Sequence, residues 1–275
     1  MIYGAKGGRV CIGDTDMDYI SFGKGSEILV MLPGLGDGIM TVRHMAVPMA
    51  VQNRVYAERF RVYVFSRKNH LQKGCSTREM AKEQAEAMRL LGIEKASVLG
   101  ISQGGMIAQY LAADFPEMVE GLVLAVTTAG DNEQLRRVIG HWIKLAKRCD
   151  YRRLMIDTAE HMYTESYLKK YRLLYPLLTR IGKPKDFNRF LIQAEACISH
   201  HPDPVLEKIA CPTLVLGGGR DKIVGEDAAK ELAKRVKNSR LYVYRELGHA
   251  AYEEAKDFHE RVMRFLVQSV DMQLA

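Results

Sequence analysis

The sequence predicts an α/β protein: a mainly parallel central sheet flanked by helices, with an inserted all-helical segment. Three observations predict it. Strand-like and helix-like patterns alternate up to about residue 127 and again from 213 onward. Runs such as ASVLGI (96–101) and TLVLGGG (213–219) are apolar on both faces, as strands inside a parallel sheet are. Between the two alternating blocks, 131–208 carries amphipathic helical patterns and no strand pattern. The expected layout is a core of 1–127 and 209–275, with 128–208 as a helical insertion lying over the strand ends.

Each element follows from local chemistry. RVCIG (9–13), MDYISFG (17–23) and EILVML (27–32) are β-rich, and GKGS (23–26) supplies the turn between the last two. RFRVYVFS (59–66) predicts a further strand. A helix over 76–93 is punctuated at both ends: Ser76 and Glu79 make a capping box, and Gly92 can take the left-handed C-terminal position. After ASVLGI comes a helix over 103–114, stopped near Pro116, and then the buried strand GLVLAVT (121–127). Helical periodicity marks 131–149, 151–163, 165–181 and 186–200. TLVLGGG, a helix over 226–236, the strand RLYVYREL (240–247) and a helix over 255–270 complete the chain. Nothing is assigned to 39–58.

Composition narrows the function classes. Of 275 residues, 47% are hydrophobic and 27% charged, which is ordinary for a globular protein with a large core. MIYGAKGGRV has no apolar signal-peptide core, and no apolar run reaches the ~20 residues of a membrane span, so a cytoplasmic location is expected. Cys11, Cys75, Cys149, Cys197 and Cys211 are scattered, with no CxxC pair. They predict free thiols, with no disulfide frame and no metal site. The net charge of +7 is concentrated in 128–205, where fourteen basic residues face nine acidic ones. No stacking-aromatic or helix-turn-helix pattern accompanies it, so nucleic acid is not an expected partner. The oligomeric state is not legible.

In open α/β sheets, ligands gather at the carboxyl ends of the strands. Four loops reach that edge: GLGDG (34–38), Ser102 in GISQGG (100–105), GRD (219–221) and GH (248–249). Together they offer a serine, a histidine, an aspartate and backbone amides. A serine hydroxyl attacks a carbonyl when a base takes its proton, and a histidine does so near neutral pH. A carboxylate holds the imidazole in one tautomer. Asp221 is the expected partner of His249, with Asp131, just after the preceding strand, as the alternative. Gly100, Gly104 and Gly105 permit a tight strand-to-helix elbow around Ser102.

At these residues the chain resembles the α/β-hydrolase family. GISQG matches the G-x-S-x-G nucleophile elbow, LPGLGDG the glycine loop after the third strand, GGGRDKIV the acid loop and LGHAAYEE the histidine loop. The resemblance implies Ser102 as nucleophile, His249 as general base and acid, and Asp221 as its orienting partner. It also implies an oxyanion hole from the backbone N–H groups of Leu35 and Gln103, a helical cap, and no metal or organic cofactor. The chain departs from many members in having Pro33-Gly34 for His-Gly. It also has Ser66-Arg67-Lys68-Asn69-His70 where they carry Asp-x-Arg-Gly-x-Gly. A serine at the elbow, rather than an aspartate, argues against haloalkane-dehalogenase and epoxide-hydrolase chemistry. SQGGMIAQ also looks like the elbow of enol-lactone hydrolases and cofactor-free haloperoxidases. The expected substrate is a small or medium carboxylic ester. Lactone, thioester or carbon–carbon bond hydrolysis, perhydrolysis, and a non-catalytic binding protein are the alternatives.

Two other motifs and an aromatic stripe bear on function. GLGDG fails as a dinucleotide fingerprint because position 39 is Ile39, and His200-His201 has no partners at metal-ligand spacing. In the insertion, Tyr163, Tyr167, Tyr171 and Tyr175 recur every four residues, with Trp142 nearby. Packing of the insertion on the core accounts for such a stripe. An aromatic pocket lined by Trp142, Tyr163, Tyr167 and Tyr171 is the alternative.

Overall fold

The structure, a computed structural model, describes residues 2–180 and 182–274. Among these residues eight strands form one sheet: β1 (Lys6–Ile12), β2 (Thr15–Phe22), β3 (Glu27–Leu32), β4 (Phe60–Lys68), β5 (Ala96–Ile101), β6 (Val119–Ala125), β7 (Thr213–Gly218) and β8 (Ser239–Tyr244). Their order is β1-β2-β4-β3-β5-β6-β7-β8. β1, β2 and β4 pair antiparallel, and every pairing from β4 through β8 is parallel.

The two-faced apolar strands have two apolar layers to fill. Along β5, Val98 packs among Met80, Met88, Ile107 and Leu111. Its neighbour Leu99 points the other way, into a layer with Val123, Leu214, Val262 and Leu266. The first layer is supplied by α2 (Thr77–Leu90), α3 (Gln103–Asp114) and α9 (Ala228–Arg235). The second is supplied by α1 (Ala46–Gln52) and α11 (Phe258–Leu274). The signals that predict α2 are present: Ser76 Oγ accepts from the Glu79 N–H at 3.2 Å, the Ser76 N–H donates to Glu79 at 2.7 Å, and Gly92 sits at φ 70°. α1, seven residues with Pro48 in its first turn, lies in the stretch to which the sequence assigns no element.

Between β6 and β7 the described residues form no strand. The segment holds α4 (Glu133–Lys147), α5 (Tyr151–Met162), α6 (Glu165–Tyr171), α7 (Tyr175–Leu178) and α8 (Asn188–Ile198). Its apolar faces close over the strand ends in a third cluster, in which Trp142, Ile143 and Phe190 meet Leu35, Met106, Ile223 and Val224. The helix expected over 165–181 is broken into α6, a 3-10 turn at Arg172–Leu174 and α7; its last residue, Ile181, lies outside the described residues. Pro176 accounts for the break, since it has no N–H to donate to Arg172 O and so interrupts the i→i−4 ladder there. A four-residue α10 (Ala251–Glu254) follows the histidine loop. Among the described residues no helix is long and apolar enough to cross a membrane.

Candidate active site

β5 ends at Ile101, and Ser102 takes φ 54°, ψ −118° before α3 begins at Gln103. A non-glycine residue at positive φ is held there by its surroundings at a cost of ~1–3 kcal/mol. The Ser102 N–H donates to Ala125 O on β6 at 2.9 Å, which fixes the turn to the sheet. Gly104 is needed for space: a Cβ there would lie 1.9 Å from Leu32 O. Gly100 and Gly105 face Gly104 and Thr127 across similarly short gaps.

His249 and Asp221 arrive from the loops after β8 and β7. His249 Nε2 lies 2.9 Å from Ser102 Oγ, and His249 Nδ1 lies 2.7 Å from Asp221 Oδ2. A carboxylate only accepts, so Nδ1–H donates to Asp221, and Nε2 is left as the acceptor of the serine O–H. Asp221 Oδ1 in turn accepts the N–H groups of Ile223 (2.8 Å) and Val224 (3.0 Å), which fixes the carboxylate plane. His249 and Asp221 are buried, while Ser102 is half-buried and reachable. Asp131, the alternative acid, is engaged elsewhere, with Arg136 and with His201 at 3.2 Å.

The glycine loop comes up against the serine. A Cβ on Gly34 would be 3.3 Å from Ser102 Cβ and 3.8 Å from its Oγ. Leu35 opens a 3-10 turn and Gln103 opens α3. The first N–H groups of a helix have no acceptor inside it. Leu35 and Gln103 thus both stand at first-turn positions in the two segments that meet at Ser102. The Gln103 side chain turns away and donates to Gln193 O at 2.6 Å and to Cys197 Sγ at 3.2 Å, both on α8.

Behind the loop lies a charge cluster that sequence reasoning missed. The Asp37 carboxylate is buried and accepts from the Arg67 N–H at 3.1 Å, from Gln193 at 3.3 Å and from the Arg189 guanidinium. Burial would raise the Asp37 carboxyl, but Arg189, Arg67 and hydrogen bonds outweigh it and hold it below its ordinary value. Arg67 is fully buried, donates to Pro33 O, and is pushed down to about 10 by burial. Arg189, on α8, also donates to Arg67 O and Lys68 O, each at 3.0 Å. The signals were an acid inside GLGDG and an arginine at the end of β4.

The aromatic residues divide. Trp142 is buried and gives its indole N–H to Asp157 at 2.7 Å. Tyr163, Tyr167 and Tyr171 stack in series with centroids 4.6 and 4.8 Å apart; Tyr163 O–H donates to Glu253, and Tyr171 is exposed. His200 is buried between Thr77 and Gln109, and burial lowers it to about 3, so it stays neutral. Among the described residues no cluster of metal-binding side chains forms.

Residues 27–148 match the family described as alpha/beta hydrolase fold, and 194–270 match one described as TAP-like protein. The chain is similar to 2-hydroxy-6-oxononadienedioate/2-hydroxy-6-oxononatrienedioate hydrolases. That of Klebsiella pneumoniae is 29% identical over 65% of both chains. One from Pseudomonas putida is 27% identical over 92% of both. A pimeloyl-[acyl-carrier protein] methyl ester esterase of Neisseria meningitidis is 29% identical over 64% of this chain and 58% of its own length. The enol-lactonase of Burkholderia xenovorans LB400 shares the fold at a TM-score of 0.80, 19% identical, over 94% of this chain and 100% of that one.

Proposed function

The chain belongs to the α/β-hydrolase family of enzymes, and from that premise we propose that it is a serine hydrolase of small or medium carboxylic esters. One observation carries the reading: the unbroken chain from Ser102 Oγ through His249 to Asp221, at 2.9 and 2.7 Å. In the proposed mechanism His249 Nε2 takes the Ser102 proton as Oγ attacks the ester carbonyl. The N–H groups of Leu35 and Gln103 receive the oxyanion, and each such donor contributes ~3 kcal/mol to the transition state. His249 then protonates the leaving alcohol, leaving an acyl-enzyme, and next deprotonates the water that releases the acid.

A fluorophosphonate probe with a p-nitrophenyl ester series of rising acyl length tests the reading. Labelling of one serine per chain, and turnover that peaks at short to medium acyl groups, is expected. No labelling and no turnover would leave a ligand-binding protein on this fold. The relatives favour a second reading, hydrolysis of the carbon–carbon bond in a 2-hydroxy-6-oxo-dienedioate. Loss of the dienol absorbance, with kcat/KM above that of every ester, would select it. Asp221→Asn is expected to lower kcat by about 10⁴-fold, since the amide promotes the wrong tautomer of His249. Asp131→Asn is expected to leave kcat unchanged, and the paired rate measurements decide which acid serves the histidine.

A further inference from the structure

The segment from α6 through α7 turns several leucines to solvent. Its other faces carry polar contacts that are themselves part-exposed, the Arg172 and Glu160 side chains at 39% and 33%. Arg172 is bonded to Glu160 and Glu165, Tyr175 O–H donates to Glu160 at 3.1 Å, and Thr179 O–H donates to Tyr175 O at 2.6 Å. Among the described side chains of α6 and α7, Leu168 is the one apolar side chain that is buried, at 2% exposure. The leucines in solvent follow it: Leu173 is 89% exposed, Leu177 60% and Leu174 44%. Leu173 and Leu174 stand four and three residues from Leu177, so the three share one face. A soluble helix ordinarily turns such a face to the core.

Charge frames this face. Lys169 and Lys170 precede the leucines, and Arg180, Lys183 and Lys185 follow them, all exposed. The acids Glu160 and Glu165 are taken up by Arg172, and Asp186 is the one acid among the flanking cations. Exposed leucines bracketed by lysine and arginine are the composition that settles into the headgroup layer of an anionic bilayer without spanning it. The segment is also seated beside the site. Thr164, its N-cap, donates its N–H to Glu254 at 3.0 Å, and Met162 O accepts the N–H of Ala250, the residue after His249.

We propose that this face docks the protein on an anionic lipid surface, Leu173, Leu174 and Leu177 entering the interfacial layer while the flanking cations meet headgroup phosphates. Delivery of a lipid-borne ester to Ser102 rests on the proposed hydrolase reading, whereas docking does not. The test is co-sedimentation of the full chain with vesicles of phosphatidylcholine, with or without an equal part of phosphatidylglycerol. Wild-type protein and the L173D/L177D variant are compared at low and high salt, with turnover of a soluble short-chain ester as the control for folding and activity. The expected result is binding to the anionic vesicles alone, weakened by salt and about tenfold or more weaker in the variant, with soluble-ester turnover unchanged. Equal sedimentation of wild type and variant, or none for either, overturns docking whatever the ester assay reads. Self-association that the variant loses, without vesicle binding, also overturns it and makes the face a contact between copies. Vesicle binding without ester turnover retains docking and rejects the hydrolase reading.

Discussion

Replacing Ser102 with alanine is expected to abolish fluorophosphonate labelling and to lower ester turnover on the order of 10⁶-fold, with residual rate from the amides around the site. Alanine removes the hydroxyl that reaches His249 at 2.9 Å and leaves the other groups in place. It also keeps the Cβ, and with it the strain of φ 54° at the elbow. Glycine at the same position removes both. Relief of ~1–3 kcal/mol of strain exceeds the ~0.5–1 kcal/mol that glycine's extra unfolded-state freedom costs. Ser102→Gly is therefore expected to melt above Ser102→Ala, with both inactive. A glycine variant that melts lower would mean that the elbow stores no strain worth releasing, and the close packing of Gly104 would then be the whole reason for its glycines.

The sequence carried those parts of the protein whose signals are local. Two-faced strands such as ASVLGI, the capping pair Ser76–Glu79 and the glycines around Ser102 all report short-range constraints, and the structure places them where they were read. The sequence favours Asp221 as the partner of His249 and leaves Asp131 open as the alternative, because both follow buried strands. Side-chain direction separates them: Asp221 lies 2.7 Å from His249 Nδ1, and Asp131 points at Arg136 and His201. The tyrosine spacing told half of its story. Tyr163, Tyr167 and Tyr171 do stack, but the helix breaks before Tyr175, which leaves the series for Glu160. Least legible was the cluster of Asp37, Arg67 and Arg189. Its members are distant in sequence, and an arginine on an amphipathic helix ordinarily faces water.

That cluster sets the second large effect. Asp37 lies in the loop that carries Leu35, Arg67 holds Pro33 O at the start of the loop, and Arg189 reaches over from α8. Asp37→Asn removes the carboxylate from between two guanidinium groups with almost no change of shape. Arg67 and Arg189 are then left without a counter-charge in a buried site, and a loss of about 3–5 kcal/mol in stability is expected. The pH dependence has a definite sign. The Asp37 carboxyl is held below its ordinary value in the folded protein, so its contribution is fully present above the unfolded value near ~4 and is lost as pH falls through the lower folded value. The gap between wild type and variant should be widest at neutral pH and close in acid, as denaturant melts at several pH values would show. Activity separates positioning from mere stability. In variant protein kept folded at low temperature, a displaced Leu35 N–H lowers kcat by about 10- to 100-fold and leaves KM nearly unchanged, because that donor serves the oxyanion more than the bound ester. Unchanged kcat in folded Asp37→Asn would mean that the remaining contacts suffice to hold the loop, and that the cluster serves only to fasten α8 to the core.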